Sequence, residues 1–216
     1  MLDLSLPGSN RSTLEVLCIG AHCDDIEIGC GATLMRLAEE RQLSITWVVL
    51  ASTPERATET RRSAAAFLRA ARRSSVQCAT FDDGYLPARW AEVKDYFETL
   101  KRLPGPDVIF THERNDLHQD HRVASELTWN TFRDHLILEF EIPKFDGGLL
   151  QPNLYVPASR RIVDRKCRQL RQAYASQRRK PWFDEETFRG LMRLRGLECN
   201  APGGYAEAFH ARKIRI

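Results

Sequence analysis

Val16-Leu17-Cys18-Ile19-Gly20-Ala21-His22-Cys23-Asp24-Asp25-Ile26-Glu27 opens as a short apolar run ending at a glycine and passes directly into a cluster of imidazole and carboxylate groups. The apolar part reads as a buried strand. A helical pattern follows, with Leu34, Leu37 and Ala38 on one face. The same alternation then repeats. Residues 44–52, 76–81, 107–111 and 136–142 read as strands, and residues 58–73, 90–103 and 121–133 as the helices between them. Pro104-Gly105-Pro106 stops the third helix. Strands alternating with helices at this spacing predict an α/β fold, a mostly parallel sheet with helices on both faces.

The last third is less regular. Residues 153–156 read as a short strand, 160–179 as a strongly basic helix, and 184–194 as a helix capped by Asp184. Gly203-Gly204 is a turn, and 206–214 is expected to end the chain as a strand. No repeat, low-complexity tract or linker interrupts the sequence. It reads as one domain over 1–216, with residues from about 150 to 216 an elaboration.

A second cluster of chemically able residues, Thr111-His112-Glu113-Arg114-Asn115-Asp116-Leu117-His118-Gln119-Asp120-His121, directly follows the fourth strand. In a doubly wound sheet the first and fourth strands are neighbours, and ligands sit in the crevice at their carboxyl ends. The two clusters are therefore expected to face each other. Neutral imidazole and carboxylate are good zinc ligands, and a catalytic zinc takes three protein ligands and leaves a position for water. His22, Asp25 and His121 can supply that set, and bound water then has its pKa lowered to about 7. Asp24, beside the ligand Asp25, can take the proton from the attacking water. His118, if protonated, can stabilise the oxyanion or protonate the leaving amine. Asp116 or Asp120 can orient one of the histidines.

His22-Cys23-Asp24-Asp25-Ile26-Glu27-Ile28-Gly29-Cys30-Gly31 resembles the His-Pro-Asp-Asp-x-Glu-x-Gly-x-Gly signature of the PIG-L / LmbE-like N-deacetylases, and His118-Gln119-Asp120-His121-Arg122 resembles their second signature, His-x-Asp-His-Arg. The resemblance covers roughly the first two thirds of the chain and touches Ala206-Glu207-Ala208-Phe209 near its end. It implies a Rossmann-like three-layer sandwich and a Zn2+-dependent enzyme acting on an N-acetylated amino sugar. It implies His22, Asp25 and His121 as metal ligands, Asp24 as general base, and His118 as the residue assisting the oxyanion or leaving group. Two departures stand out. Cys23 replaces the usual proline at a backbone position between ligands, where metal binding is expected to survive and where a thiol can make the site sensitive to oxidation. The arginine that often contacts the sugar has candidates Arg61 and Arg62, of which Arg62 is preferred; Arg56, in the loop after the second strand, is a further candidate.

Blander readings compete. Asp24 or Asp25 alone can be a helix cap, but a cap does not account for the second cluster. His112 reads as a buried, hydrogen-bonded histidine. Gly20, Gly29 and Gly31 do not match a dinucleotide fingerprint, and the neighbouring carboxylates would repel a pyrophosphate; Gly29 and Gly31 instead allow close helix packing. Asp82-Asp83-Gly84 is a turn, with Asp83 a candidate for sugar hydroxyls. Two histidines and a carboxylate also suit Fe2+, so an iron oxygenase is the alternative enzyme and a non-catalytic sugar-binding module the alternative outside catalysis.

Net charge is +3, too small to call for nucleic acid. Residues 160–180 hold nine basic residues against one acid, Asp164, and read as a solvated face, with peripheral contact to an anionic surface as the functional alternative. No run is long enough to span a membrane. Residues 1–13 lack the basic-then-apolar order of a secretory leader, and the six cysteines form no Cys-x-x-Cys pair, so the expected location is cytoplasmic.

Overall fold

A computed structural model describes residues 13–214; of the stretch read for a leader, all but Thr13 lies outside them. In chain order the elements are β1 (Thr13–His22), α1 (Asp25–Glu40), β2 (Gln42–Ala51), α2 (Pro54–Phe67), β3 (Arg73–Phe81), α3 (Trp90–Leu100), β4 (Val108–His112), α4 (Gln119–Thr131), β5 (Leu136–Phe140), β6 (Leu154–Ala158), α5 (Arg160–Ala173), α6 (Glu185–Glu198) and β7 (Tyr205–Ala211). Short 3₁₀ turns cover Leu86–Arg89 and Ala175–Gln177. The strands form one seven-stranded sheet in the order β3-β2-β1-β4-β5-β7-β6. β1 pairs in parallel with both β2 and β4, so chain order reverses between β1 and β4, as expected. β7 runs antiparallel to β5 and to β6.

Period-two alternation sorts the strand residues between two helix layers. Val16, Cys18, Ile45, Trp47, Val108 and Phe110 pack on the face covered by α1, α2, α5 and α6. Leu17, Ile19, Val48, Leu50 and Ile109 pack on the other face, under α3 and α4. This makes the three-layer sandwich. Each fully buried side chain of this kind contributes about 1.5–3 kcal/mol.

α1 lies unusually close to its neighbours. A Cβ at Gly29 would stand 2.5 Å from Cγ and 2.9 Å from Cβ of Phe140, and one at Gly31 2.5 Å from Cε1 of Phe67. Phe140 is fully buried and has little room to retreat. Gly29→Ala is therefore expected to cost about 1–3 kcal/mol by overpacking, read as a lowered denaturation midpoint. Unchanged stability would show that this interface is looser than described.

The helices that depart most from the sequence reading are α2 and α5. α2 starts at Pro54 with Thr53 as its cap and ends at Phe67, instead of covering 58–73. α5 ends at Ala173, short of residue 179. The basic stretch is largely engaged with the protein's own groups, which weakens the case for an anionic surface partner. Arg161 and Arg165 pair with Glu39, Arg171 with Glu185, and Lys166 is buried against Glu207 at 2.6 Å. Phe183 is core, in edge contact with Tyr174 and Phe188. Among the described residues, no helix is long and apolar enough to cross a membrane.

Candidate metal and active site

The two clusters do meet at the carboxyl ends of β1 and β4. β1 delivers His22 as its last residue, and the chain then turns sharply into α1 through Asp24, whose φ of 116° lies in the left-handed region. For a residue with a side chain that conformation costs about 1–3 kcal/mol, and such strain collects at functional sites. β4 ends at His112, and His118 caps α4, placing Asp120 and His121 in that helix's first turn.

Three donor atoms converge. His22 Nδ1 lies 3.2 Å from His121 Nε2 and 3.4 Å from Asp25 Oδ2, and His121 Nε2 lies 3.6 Å from Asp25 Oδ2. Tetrahedral zinc with bonds of 2.0–2.1 Å sets its donors about 3.3 Å apart. The triangle thus matches the span of a divalent ion in both size and chemistry.

Carboxylates behind the rings orient the lone pairs. Asp120 accepts the N–H groups of Gly84 (2.6 Å) and Leu86 (3.1 Å), and its Oδ2 lies 3.0 Å from His22 Nε2. That network puts the His22 proton on Nε2 and turns the Nδ1 lone pair toward the triangle. Gly84 reaches Asp120 from the Asp82–Gly84 turn with φ 85°, a conformation suited to glycine. Asp116 Oδ2 does the same for His121, 3.0 Å from Nδ1. Asp116 and Asp120, of which one or the other was expected near a histidine, each lie within hydrogen-bond distance of a different ring.

The electrostatics agree with a cation site. Burial alone lowers the pKa of His22, but Asp120, Asp25 and Asp83 around it outweigh burial and raise it well above 6.5. Burial, helped by His112, pushes His121 down to about 3, so that ring is a neutral donor. Burial would raise Asp25, yet the imidazoles of His121 and His112 hold it well below the usual carboxylate range. A field that holds a proton on His22 also attracts a metal ion, and the ion must displace that proton. Metal affinity is accordingly expected to climb with pH, about tenfold per unit up to the raised His22 pKa. Chelator competition at several pH values checks this; a flat profile would contradict it.

Asp24, next to Asp25 in the chain, is buried, and its Oδ2 has an ion pair but no hydrogen bond among the described residues. Arg56 Nη2 pairs with that oxygen at 3.2 Å and also donates to the Cys23 carbonyl. Burial pushes the Asp24 carboxyl up to about 7, although Arg56 holds it down. Arg56 rests over the Tyr174 ring at 5.2 Å and donates to Ser176 Oγ at 3.0 Å; Ser176 in turn donates to Glu59.

The remaining predicted residues divide. Asp83 Oδ1 lies 3.1 Å from His22 Nε2, but its side chain is 78% exposed, which puts it at the rim. Arg62 faces solvent on α2 and, among the described residues, has no ion pair with the site, whereas Arg56, in the first turn of the same helix, reaches it. The sequence reading has His118 act when protonated. Burial and the nearby His22 instead lower its pKa. Its Nδ1 accepts the Asp120 N–H at 3.2 Å, so the neutral ring carries its proton on Nε2. Cys23 is buried and its thiol is pushed up to about 12 by burial, which disfavours the reactive thiolate.

Sequence reasoning left His112 and Lys144 out of the site. His112, fully buried, stacks on His121 at 3.8 Å and accepts the Ala21 N–H through Nε2 at 2.9 Å, 3.1 Å from Asp25 Oδ2. It is the buried histidine expected, and also the floor of the site; its position at a strand end was the available signal. Lys144 donates to Asp116 Oδ2 at 2.7 Å, with no motif to announce it.

The family model for GlcNAc-PI de-N-acetylase, PIG-L, matches residues 17–132. The chain belongs to the PIG-L family. The matched span holds His22, Asp24, Asp25, His118 and His121, while Lys144, Tyr174 and Ser176 lie beyond it. Forty residues of this PIG-L chain are 52% identical to the uncharacterised deacetylase YaiS of Escherichia coli (strain K12). They amount to 18% of this chain and 22% of YaiS, so the match spans about a fifth of that relative. Among solved structures, a conserved protein of Thermus thermophilus superposes with a TM-score of 0.72 at 24% identity, covering 94% of this chain and 96% of the other. The N,N'-diacetylchitobiose deacetylase of Pyrococcus horikoshii superposes with a TM-score of 0.67 at 18% identity, covering 91% and 83%. At these identities the two structures support the PIG-L fold.

Proposed function

We propose that this chain is a zinc-dependent hydrolase that removes the acetyl group from the nitrogen of an N-acetylglucosamine-type sugar, acting as one domain in the cytoplasm. The observation that carries the reading is the triangle of His22 Nδ1, Asp25 Oδ2 and His121 Nε2, with the buried Asp24 carboxylate next to Asp25 in the chain and paired with Arg56. Membership of a deacetylase family supports it, as do six free cysteines for a reducing compartment.

His22, Asp25 and His121 would hold the metal. A divalent ion there supplies Lewis acidity and a lowered water pKa. Asp24 takes the proton from the attacking water as its oxygen bonds to the amide carbon. His118 donates from Nε2 to the carbonyl oxygen as it gains charge. The proton on Asp24 then passes to the nitrogen, the C–N bond breaks, and acetate and a free amine leave. Arg56 keeps Asp24 in place, and Asp83 at the rim is offered to sugar hydroxyls. Arg62, exposed on α2, remains at most an outer contact.

The test is acetate release from a panel of N-acetyl-hexosamines in free, oligomeric and nucleotide- or lipid-linked form, with metal-loaded and chelator-treated protein side by side. Metal-dependent acetate is expected. Turnover that requires dioxygen and yields no acetate would overturn the reading in favour of iron chemistry, and tight sugar binding without turnover would leave a binding module.

A further inference from the structure

Asp116 is shared more widely than one histidine requires. Its Oδ1 accepts the His118 backbone N–H at 2.7 Å. Its Oδ2 accepts two donors, His121 Nδ1 at 3.0 Å and Lys144 Nζ at 2.7 Å. Lys144 comes from the segment after β5, outside residues 17–132, and also donates to the Ile142 carbonyl at 3.2 Å. Its side chain is mostly buried, 16% exposed, and Asp116 is 4% exposed. The ion pair is thus shielded from the water and salt that screen a surface pair.

A carboxylate that accepts the far N–H of a ligand imidazole increases electron density on the metal-facing nitrogen. An ammonium on the same oxygen draws density the other way, and here it is the nearer donor. We propose that Lys144 is a positioning residue that weakens the push of Asp116 on His121, so that the metal is held less tightly and stays more electron-poor. This rests on the reading of His121 as a metal ligand. Asp116 and Lys144 then form a graded pair, the carboxylate strengthening the ligand and the ammonium moderating it. The bond also ties the segment after β5 to the His118–His121 turn.

The sign of the effect separates this role from simple bracing. Lys144→Met, similar in length and without charge, is expected to bind zinc about tenfold more tightly in chelator competition and to turn over about tenfold more slowly, with KM unchanged. Lys144→Arg, which keeps the charge, is expected to restore the native affinity. Asp116→Asn should move affinity the other way, weaker by about 10–100-fold. Should Lys144→Met fold poorly, Lys144→Gln reads the same sign. Unchanged or weaker zinc binding in a folded, charge-free variant would overturn the proposal and leave Lys144 a structural tether. Zinc binding by His121→Ala tells the two failures apart. If that variant keeps its zinc, the ligand reading itself fails; if it loses zinc while Lys144→Met binds no tighter, only the role of Lys144 fails.

Discussion

Asp24→Asn is expected to keep its metal and to lose turnover by about 10²–10⁴-fold, the span that a well-placed general base contributes. The substitution preserves shape and removes only the ability to take a proton. Asp24 is not one of the three convergent donors, so the metal should remain at full occupancy. The fold should tolerate the change. The Asp24 backbone carbonyl still accepts the Ile28 N–H that starts α1, and Arg56 keeps Glu59, Ser176 and the Cys23 carbonyl as partners. Asparagine is also among the residues that best tolerate the left-handed backbone found here. Acetate release and metal content measured on the same preparation check both halves. Near-native turnover would remove Asp24 from the role of base, and loss of metal would make it a ligand.

His121→Ala is the complementary case, with metal and turnover both lost. The ring is 3% exposed and sits between His112 at 3.8 Å and His118 at 4.5 Å. Its Nδ1 is held by Asp116, so Nε2 can face only the triangle. A site with three protein ligands that loses one keeps a single imidazole and a carboxylate, too few to compete with a chelator. Asp116 stays paired with Lys144, which limits the damage to the fold. Retention of stoichiometric metal in this variant would take His121 out of the ligand set.

Both residues were legible in the sequence because their signals are local. A strand ending in His22-Cys23-Asp24-Asp25 and another followed by His118-Gln119-Asp120-His121 need only the parallel sheet to bring them together, and the alternation of strands and helices supplied that sheet. The packing glycines Gly29 and Gly31 were legible for the same reason. Arg56 against Arg62 depended on a boundary. Pro54 at the first helical position and Thr53 before it were signals for an early start of α2. With that start, Arg56 falls in the first turn facing Asp24, and Arg62 turns outward. The basic run to Lys180 hid the end of α5, because composition does not record where the chain turns at Tyr174. The antiparallel setting of β7 and the contributions of Lys144, Tyr174 and Ser176 come from residues distant in sequence. No spacing rule connects them to the two signatures.

Metal-dependent deacetylation is tested by titrating zinc into chelator-treated protein while following acetate release and bound metal together. Acetate release is expected to rise in proportion to occupancy and to level off at one ion per chain. Full acetate release without metal, or none at full occupancy on any N-acetylated amino sugar, would contradict it.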